Sequence, residues 1–264
     1  MMSRQRVYRT EAVVLRRMDL GEADRLLTLF TPDEGKVRAI AKGVRRPGSR
    51  KSGHLEPFSR TRLLLARGRE LDIITQAEAV DLYPTFRQDL ERLGAAAYVV
   101  ELLDRFTVQE GDSRGPYELL IGALDQLEAG ADLAPLCRYY ELRLLDLVGY
   151  RPQLFHCVEC EAEIEPEDQY FSSAQGGVLC PRCGQGHREA TRISLAALKV
   201  LRHYQRSGYA EAVAPNVRTA VHEELESLME SYLIFLLERR LNAPKFLRRV
   251  RGLRRAGLKS DAAT

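Results

Sequence analysis

The sequence has few of the residues and motifs that would indicate catalysis. Its 264 residues include no tryptophan, and aromatic residues make up only 7% of the chain. It contains no GxxxxGK(S/T) phosphate-binding loop, no HExxH pair and no GxSxG turn, and its five histidines show no paired spacing. These absences argue against nucleotide hydrolysis, metalloprotease chemistry and serine hydrolase chemistry. We therefore expect a protein that is not an enzyme and has no small-molecule substrate.

Long apolar segments are also lacking. No window approaches 18 consecutive apolar residues, so no membrane span is expected. The chain begins Met-Met-Ser-Arg-Gln-Arg, without an apolar signal segment, which favours a reducing, cytoplasmic compartment. With 45% hydrophobic and 29% charged residues, the composition is that of an ordinary globular protein, and the length suggests two or three subdomains.

Charge is unevenly distributed, although the formal net charge is only +3. Residues 36–69 contain eleven Lys and Arg against one acid, a local net charge of +10. Residues 70–137 contain fourteen Asp and Glu against four Arg, a local net charge of −10. Because such a dense set of cations is self-repelling unless an anion is bound, the first segment is expected to meet a polyanion.

Two CxxC pairs form the most specific motif of the sequence. Cys157-Val-Glu-Cys160 and Cys180-Pro-Arg-Cys183 are separated by 19 residues, which is the spacing of a zinc ribbon. Four thiolates complete a tetrahedral shell with no position left for water or substrate, so one structural Zn²⁺ is expected at these four cysteines. The segment between the pairs predicts a short hairpin with a Gly-Gly turn, which cannot build a core without the metal.

Other interpretations of these cysteines are two disulfides or a redox pair. Disulfides are disfavoured by the expected reducing compartment. His156 and His187 flank the CxxC pairs and could replace a cysteine ligand, but a tetrathiolate needs no histidine, and we expect both in solvated loops. The fifth cysteine, Cys137, lies in an apolar helical run and is expected to be an inert core thiol.

The order of secondary structure predicts an α+β, multidomain chain. Five short β-type runs separated by turn signals suggest a small closed barrel of OB type, and apolar residues recur at helical spacing after Tyr83-Pro84. The predicted strands are 7–17, 25–30, 36–43, 59–66 and 71–79, and the predicted helices are 86–106, 116–127, 135–149, 194–206 and 219–241. The expected domains are an OB-fold at 1–82, a helical domain at 83–152 and 191–243, a zinc-binding insert at 153–190 and a partly ordered basic tail at 244–264.

The cations of the barrel are expected on its outer face. Strand alternation separates Lys36, Arg38 and Lys42 from the small apolar residues between them, and it separates Arg60 and Arg62 from Leu63 and Leu65. A basic loop follows the third strand. Together these cations predict a phosphate-binding surface with few stacking aromatics: Lys36, Arg38, Lys42, Arg45, Arg46, Arg50, Lys51, Arg60 and Arg62. The alternative is a solvated basic surface that binds no ligand.

Two other functions are compatible with parts of the sequence. The first is a zinc ribbon that itself contacts nucleic acid, for which an insert with basic residues would be expected. Residues 159–168 instead contain six acids, which would repel phosphate and favour a strut or a protein-contact surface. The second is an assembly scaffold whose basic surface meets acidic protein partners and which lacks annealing activity.

The sequence also resembles a known family. The segments Gly21-Glu-Ala-Asp-Arg-Leu-Leu-Thr-Leu-Phe-Thr-Pro-Asp-Glu-Gly-Lys36, Ala41-Lys-Gly-Val-Arg-Arg-Pro-Gly-Ser-Arg50 and Leu55-Glu-Pro-Phe58 resemble the N-terminal signature of the RecO family. The resemblance implies a recombination mediator of the RecF pathway that binds single- and double-stranded DNA at the nucleoid and anneals complementary strands. It also implies work with RecR and single-stranded DNA-binding protein to load RecA.

A partner-binding surface is expected in the helical domain. The acidic, Phe-ended tail of single-stranded DNA-binding protein would need an apolar groove with a basic rim. The helical domain offers five cations for this rim, each equally readable as part of a polar helix face: Arg138, Arg143, Lys199, Arg202 and Arg206.

Overall fold

A computed structural model describes residues 6–108 and 113–250 and divides the chain into two compact units. The first unit contains residues 1–131 together with residues 242–264, and the second contains residues 132–241. The division falls between Ala131 and Asp132 rather than at residue 82, so the helices after the barrel do not form a single domain.

The first unit is built on a closed five-stranded barrel with the strand order β1-β2-β3-β5-β4, which confirms the predicted OB-type barrel. All neighbouring strands are antiparallel except β3 and β5, which are parallel and pair only at Ala39↔Asp72 and Ile40↔Ile73. The strands are β1 (Val7–Leu20), β2 (Asp24–Thr31), β3 (Gly35–Ala41), β4 (Arg60–Ala66) and β5 (Asp72–Asp81).

Alternate residues of each strand fill the barrel, as a period of two requires. The buried set is small or aliphatic: Ala12, Val14, Leu27, Leu29, Ala39, Ala41, Val44, Leu55, Leu63, Leu65 and Ile74. Two members, Val44 and Leu55, come from the loop after β3 and are completely buried. This loop is therefore attached to the core at both ends.

Two helices complete the barrel unit, α1 (Leu90–Phe106) and α2 (Arg114–Glu128). A 3₁₀ turn at Phe86–Gln88 precedes α1, which begins later than predicted because the Asp89 side chain accepts the N–H groups of Glu91 and Arg92 as an N-cap. Tyr83 and Phe86 are both buried and stack with ring centroids 5.4 Å apart, and the Tyr83 hydroxyl donates to Asp125 of α2.

A C-terminal helical segment, residues 243–250, packs on α1 within the same unit. The N–H groups of Asn242 and Ala243 donate to the Glu101 carboxylate, and the Leu247 side chain lies against Gly94. The first part of the predicted basic tail is therefore a packed helix, while residues 251–264 lie outside the described residues.

The second unit combines helices with a three-stranded sheet of order β7-β6-β8. Its elements are α3 (Leu133–Leu147), β6 (Gln169–Ser172), β7 (Gly177–Leu179), α4 (Pro181–Gly184), β8 (Thr191–Ile193), α5 (Leu195–Arg206), α6 (Tyr209–Val213) and α7 (Thr219–Leu237). Phe171 of the predicted hairpin packs edge to face on Tyr232 of α7, with ring centroids 5.3 Å apart. No helix in the described part of the chain has the length and apolar character of a membrane span.

Candidate nucleic-acid interface and metal centre

Strand β3 presents cations on its outer face and small residues to the core. Ala39 and Ala41 are completely buried, whereas Arg38 and Lys42 are exposed. Two alanines close to the barrel axis leave room for the bulky residues of β2 and β4. The alternation expected from the sequence therefore holds for Arg38 and Lys42.

The turn after β3 is held to the turn between β1 and β2 by three hydrogen bonds. The Gly43 N–H donates to the Asp24 carboxylate at 2.7 Å, and the Arg45 N–H donates to the Ala23 carbonyl at 2.9 Å. The Arg45 guanidinium donates to the Gly21 carbonyl at 3.0 Å. Arg45 therefore helps to hold this turn, whereas Arg46 and Arg50 project from it into solvent.

Lys51 closes the gap where β3 and β5 stop pairing. Its ammonium donates to the carbonyls of Lys42, at 2.9 Å, and Ile74, at 3.2 Å. Burial lowers the pKa of Lys51, an effect that Asp24 partly opposes. Next to it, the His54 carbonyl accepts the Thr61 hydroxyl and His54 Nδ1 accepts the Ala79 N–H. The basic loop is thus anchored by bonds of its own.

Lys36 has a different environment from Arg38 and Lys42. Its ammonium donates to the carbonyls of Asp104 and Thr107 at the C-terminal end of α1 and forms an ion pair with the Asp104 carboxylate at 3.1 Å. Only 15% of the Lys36 side chain and 8% of the Asp104 side chain are exposed. Lys36 therefore caps a helix end and neutralises a buried acid, and we leave it out of the proposed DNA surface.

The two cations of β4 face acids across the sheet. Arg60 donates two hydrogen bonds to Glu11 of β1, at 2.9 and 2.7 Å. Arg62 lies 3.3 Å from the other Glu11 oxygen and 3.7 Å from Glu78 of β5. Their charges are largely compensated within the barrel.

Among the residues that the structure describes, four of the nine predicted cations have no acidic partner. Within residues 6–108 and 113–250, no acid lies within ion-pair distance of them. All four are exposed and follow one another along β3 and its loop. We call this set the cationic surface: Arg38, Lys42, Arg46 and Arg50.

Aromatic side chains contribute little to the outside of the barrel. Phe30 and Tyr83 are buried. The Arg67 guanidinium covers the Tyr8 ring, at 4.3 Å from the ring centroid. Phe58 is partly buried and adopts a left-handed backbone conformation with φ of 70°. The exposed groups of the cationic surface are therefore charged side chains rather than aromatic rings.

The four predicted metal ligands are brought together in the second unit. The Sγ atoms of Cys157, Cys160, Cys180 and Cys183 all lie within 4.8 Å of one another, and those of Cys160 and Cys180 are 3.9 Å apart. Four sulfurs placed about 2.3 Å from a tetrahedral zinc ion would be separated by roughly 3.8 Å. The four cysteines can therefore hold one metal ion.

Each CxxC turn is closed by a backbone hydrogen bond from the residue after its second cysteine to the carbonyl of its first cysteine. The Glu161 N–H donates to the Cys157 carbonyl at 2.9 Å, and the Gly184 N–H donates to the Cys180 carbonyl at 2.8 Å. Burial alone would raise the pKa of Cys157, but backbone N–H groups of Cys160, Cys180 and Glu159 lower it to about 6, whereas the side chain of Cys180 and burial raise the pKa of Cys183. Such backbone donors favour the thiolate, which is the form that binds metal.

The residues around this centre agree with a closed site. His187 bonds to the carboxylates of Glu159 and Glu189, which raise its pKa, rather than joining the cysteine cluster. His156 is exposed, and Cys137 is buried in α3. The acidic strip predicted over residues 159–168 is exposed throughout: Glu159, Glu161, Glu163, Glu165, Glu167 and Asp168.

Comparison with known proteins decides the family. The family described as "Recombination protein O N terminal" matches residues 2–83, and "Recombination protein O C terminal" matches residues 87–245. The chain belongs to the RecO family. This membership supports a role in DNA repair and recombination and confirms the resemblance recognised in the sequence.

Curated relatives carry the description "DNA repair protein RecO". The protein of Roseiflexus sp. (strain RS-1) is 44% identical over 252 residues, which cover 96% of this chain and 89% of the relative. That of Pelotomaculum thermopropionicum is 36% identical over 244 residues, 92% of this chain and 94% of the relative. One from Dehalococcoides mccartyi is 34% identical over 258 residues, 97% of this chain and 100% of the relative.

The five cations expected to meet a partner tail in this RecO-family chain have unequal environments. Arg138 is only 7% exposed and forms an ion pair with the fully buried Glu141, so it cannot belong to a surface rim. Arg143 lies 3.4 Å from Asp146 on the same helix. Lys199 and Arg206 are exposed on α5.

One apolar residue near these cations was not singled out from the sequence. The Phe155 ring lies beneath two guanidinium groups of α5, 5.0 Å from that of Arg202 and 5.2 Å from that of Arg206. Arg202 also donates to the Leu154 carbonyl, and burial lowers its pKa. The only local signal for this residue in the sequence is that an aromatic residue stands two positions before a CxxC pair. Its arginine partners about fifty positions later could not be anticipated.

Proposed function

We propose that this RecO-family protein binds single- and double-stranded DNA through the cationic surface, anneals complementary strands and works with RecR to load RecA on DNA coated with single-stranded DNA-binding protein. The observation that carries the proposal is the set of four exposed cations without acidic partners among the described residues. Such a role requires no catalytic group and places the protein at the nucleoid in the cytoplasm.

Annealing requires two phosphate backbones to approach each other and the bases to be released for pairing. Lysine and arginine side chains that replace condensed counterions reduce the repulsion between strands without reading sequence. The basic loop is anchored to the barrel core through Val44 and Leu55, so part of the ordering cost is met before DNA binds. Family membership, basic charge and an anchored loop together support this mechanism.

The test is fluorescence anisotropy of a labelled single-stranded oligonucleotide with the double variant Arg38→Glu/Lys42→Glu. At about 0.1 M salt, the loss of two phosphate contacts should weaken binding by at least about tenfold. The matched control is Arg188→Glu/Arg218→Glu, which reverses two exposed arginines of the second unit and should change the affinity by less than about twofold. Equal losses in both variants would show that only total charge matters and would sink the proposed site.

Annealing itself is tested with two complementary oligonucleotides carrying a fluorescence donor and acceptor. The native protein should accelerate pairing, and Arg38→Glu/Lys42→Glu should lose most of the acceleration while the control keeps it. DNA binding without any acceleration would contradict the annealing proposal. No binding to either form of DNA would favour the protein-scaffold alternative.

We also propose that the four cysteines hold one structural zinc ion. The donor set consists of four sulfurs, which suits Zn²⁺ and leaves no open position for chemistry. The ion would fasten the two CxxC turns to the β6–β7 hairpin. The expected metal content is one zinc per chain by elemental analysis of the purified protein. A protein that is fully folded without metal would contradict this role.

We propose that the tail of single-stranded DNA-binding protein binds to the surface around Phe155, Lys199 and Arg206. Both cations are exposed, and the aromatic ring supplies an apolar contact for a terminal phenylalanine. The variant Lys199→Glu/Arg206→Glu should weaken binding of a labelled tail peptide by at least about tenfold. Arg151→Glu reverses another exposed arginine of the same unit and serves as the control. Unchanged peptide binding in the double variant would remove this assignment.

A further inference from the structure

The outer side of the barrel carries a continuous row of apolar side chains. Strand register pairs Met18 with Leu26, Leu26 with Ile40, and Ile40 with Ile73. Directly paired residues on neighbouring strands place their side chains on the same face of a sheet. We call this set the outer apolar row: Met18, Leu26, Ile40 and Ile73.

The row does not belong to the barrel core. The residues that fill the core alternate with it, since Leu27 and Ala39 beside the row are completely buried. Met18 is 58% exposed, whereas Leu26, Ile40 and Ile73 are partly buried, and Leu20, two positions further along β1, is 40% exposed. Large apolar side chains on the solvent side of four adjacent strands are typical of a surface that meets a ligand.

Cations lie beside the row on the same face. Arg38 stands two positions before Ile40 on the outer face of β3, and Lys42 stands two positions after Ile40, at the start of the turn that follows the strand. On one side of the row, Arg16 of β1 pairs with Thr28 of β2, and Thr28 pairs with Arg38 of β3. The row therefore lies between two residues of the cationic surface.

This arrangement fits a ligand that presents apolar faces and negative charges side by side. Single-stranded DNA does so, because its unstacked bases are accessible next to the phosphates. A duplex offers the same phosphates but keeps the faces of its bases stacked inside the helix. Aliphatic side chains have no hydrogen-bonding groups with which to read base edges, so contacts to the row would be tolerant of sequence.

Resting on the proposed DNA-binding function, we infer that the outer apolar row packs against unstacked bases and makes this barrel face prefer single-stranded DNA over duplex. Arg38 and Lys42 contact phosphates in both forms of DNA, whereas the row contacts bases only in the single strand. The preference then comes from apolar contact and not from charge.

The experiment compares Met18→Gln/Ile40→Thr with the native protein, using a labelled single strand and a duplex of the same sequence. The variant should bind the single strand about five- to tenfold more weakly, at the lower end of base-stacking effects, while duplex binding changes less than about twofold. The salt dependence of single-strand binding should be unchanged, because no charge is removed. The matched control is Val7→Thr/Val80→Thr, which alters two exposed valines of the same barrel outside the row.

The outcomes separate this inference from the proposed function. Arg38→Glu/Lys42→Glu could abolish binding of both DNA forms while Met18→Gln/Ile40→Thr changes neither. In that case the row does not contact bases and the inference is overturned. A protein partner would then be the better candidate to bind the row. Equal weakening of single strand and duplex by the row variant would also overturn it. If the charge reversals leave DNA binding intact, the proposed function itself fails. Should the double variant lose its folded circular dichroism signal, Met18→Gln alone carries the test, because that side chain is more than half exposed.

Discussion

The barrel and the metal module, residues 153–190 with the two CxxC turns, carry opposite charges. Both a barrel of this type and a CxxC ribbon occur in nucleic-acid-binding proteins. Among the described residues, the barrel presents four cations without an acidic partner from β3 and its loop, whereas residues 159–168 present six exposed acids. An acidic ribbon repels phosphate, and a cationic barrel attracts it. The type of motif alone therefore does not locate a DNA site, and we propose that the uncompensated charge beside the motif does.

Metal removal should have the largest effect and should separate the two regions. Structural zinc sites contribute about 10–16 kcal/mol in small zinc-binding peptides, so chelation or Cys157→Ser should unfold the metal module. We expect the loss of one zinc per chain and a lower melting temperature, measured by elemental analysis and differential scanning calorimetry. Single-strand affinity should change little at temperatures where the barrel remains folded. A parallel loss of DNA affinity and zinc would break the comparison by placing DNA contacts in the metal module.

The second prediction concerns the packing of the metal module. A Cβ atom at Gly184 would lie 2.4 Å from the Tyr170 ring, so Gly184→Ala should destabilise the protein by about 3 kcal/mol through overpacking. The control is Gly186→Ala, whose added Cβ would meet no atom closer than 3.4 Å. Urea unfolding measures both variants. A Gly184→Ala protein as stable as the control would show that Tyr170 does not confine this turn.

The third prediction contrasts an engaged cation with a free one on the same strand. Lys36→Met leaves two carbonyls and the 8% exposed Asp104 with fewer partners, so it should cost about 1–2 kcal/mol of stability with little change in DNA affinity. Arg38→Met should change stability by less than about 0.5 kcal/mol but weaken DNA binding. Chemical denaturation and anisotropy on both variants measure the two effects. If Lys36→Met weakens DNA binding as strongly as Arg38→Met, the division into free and engaged cations is wrong.

Local patterns were sufficient to predict the barrel strands and the metal cluster. Alternation of cations with small apolar residues identifies β3, and the two CxxC pairs carry their geometry in their spacing. Both signals lie within short segments, where chain connectivity already brings the residues together.

The pairing state of each cation could not be predicted in the same way. Lys36 is neutralised by Asp104, which is 68 positions away, and Arg62 faces Glu11, which is 51 positions away. Arg138 is buried because Glu141 and the surrounding helices enclose it, while its helical spacing is typical of a polar face. Such partners depend on tertiary structure, which a pattern of neighbours along the chain does not report.

The unit boundary was missed for a related reason. Helical periodicity identified α1 and α3 equally well, but it did not show that α1 belongs with the barrel and α3 with the metal module. The assignment of α1 depends on single long-range contacts, such as the bonds of Lys36 to its last turn.

The most direct test of the central claim is the salt dependence of single-strand binding by a variant with glutamine at all four positions of the cationic surface, Arg38→Gln/Lys42→Gln/Arg46→Gln/Arg50→Gln. Each phosphate contact contributes about 0.7 to the slope of log affinity against log salt, so the slope should become shallower by roughly 3. An unchanged slope would show that DNA phosphates do not meet these four cations and would contradict the account.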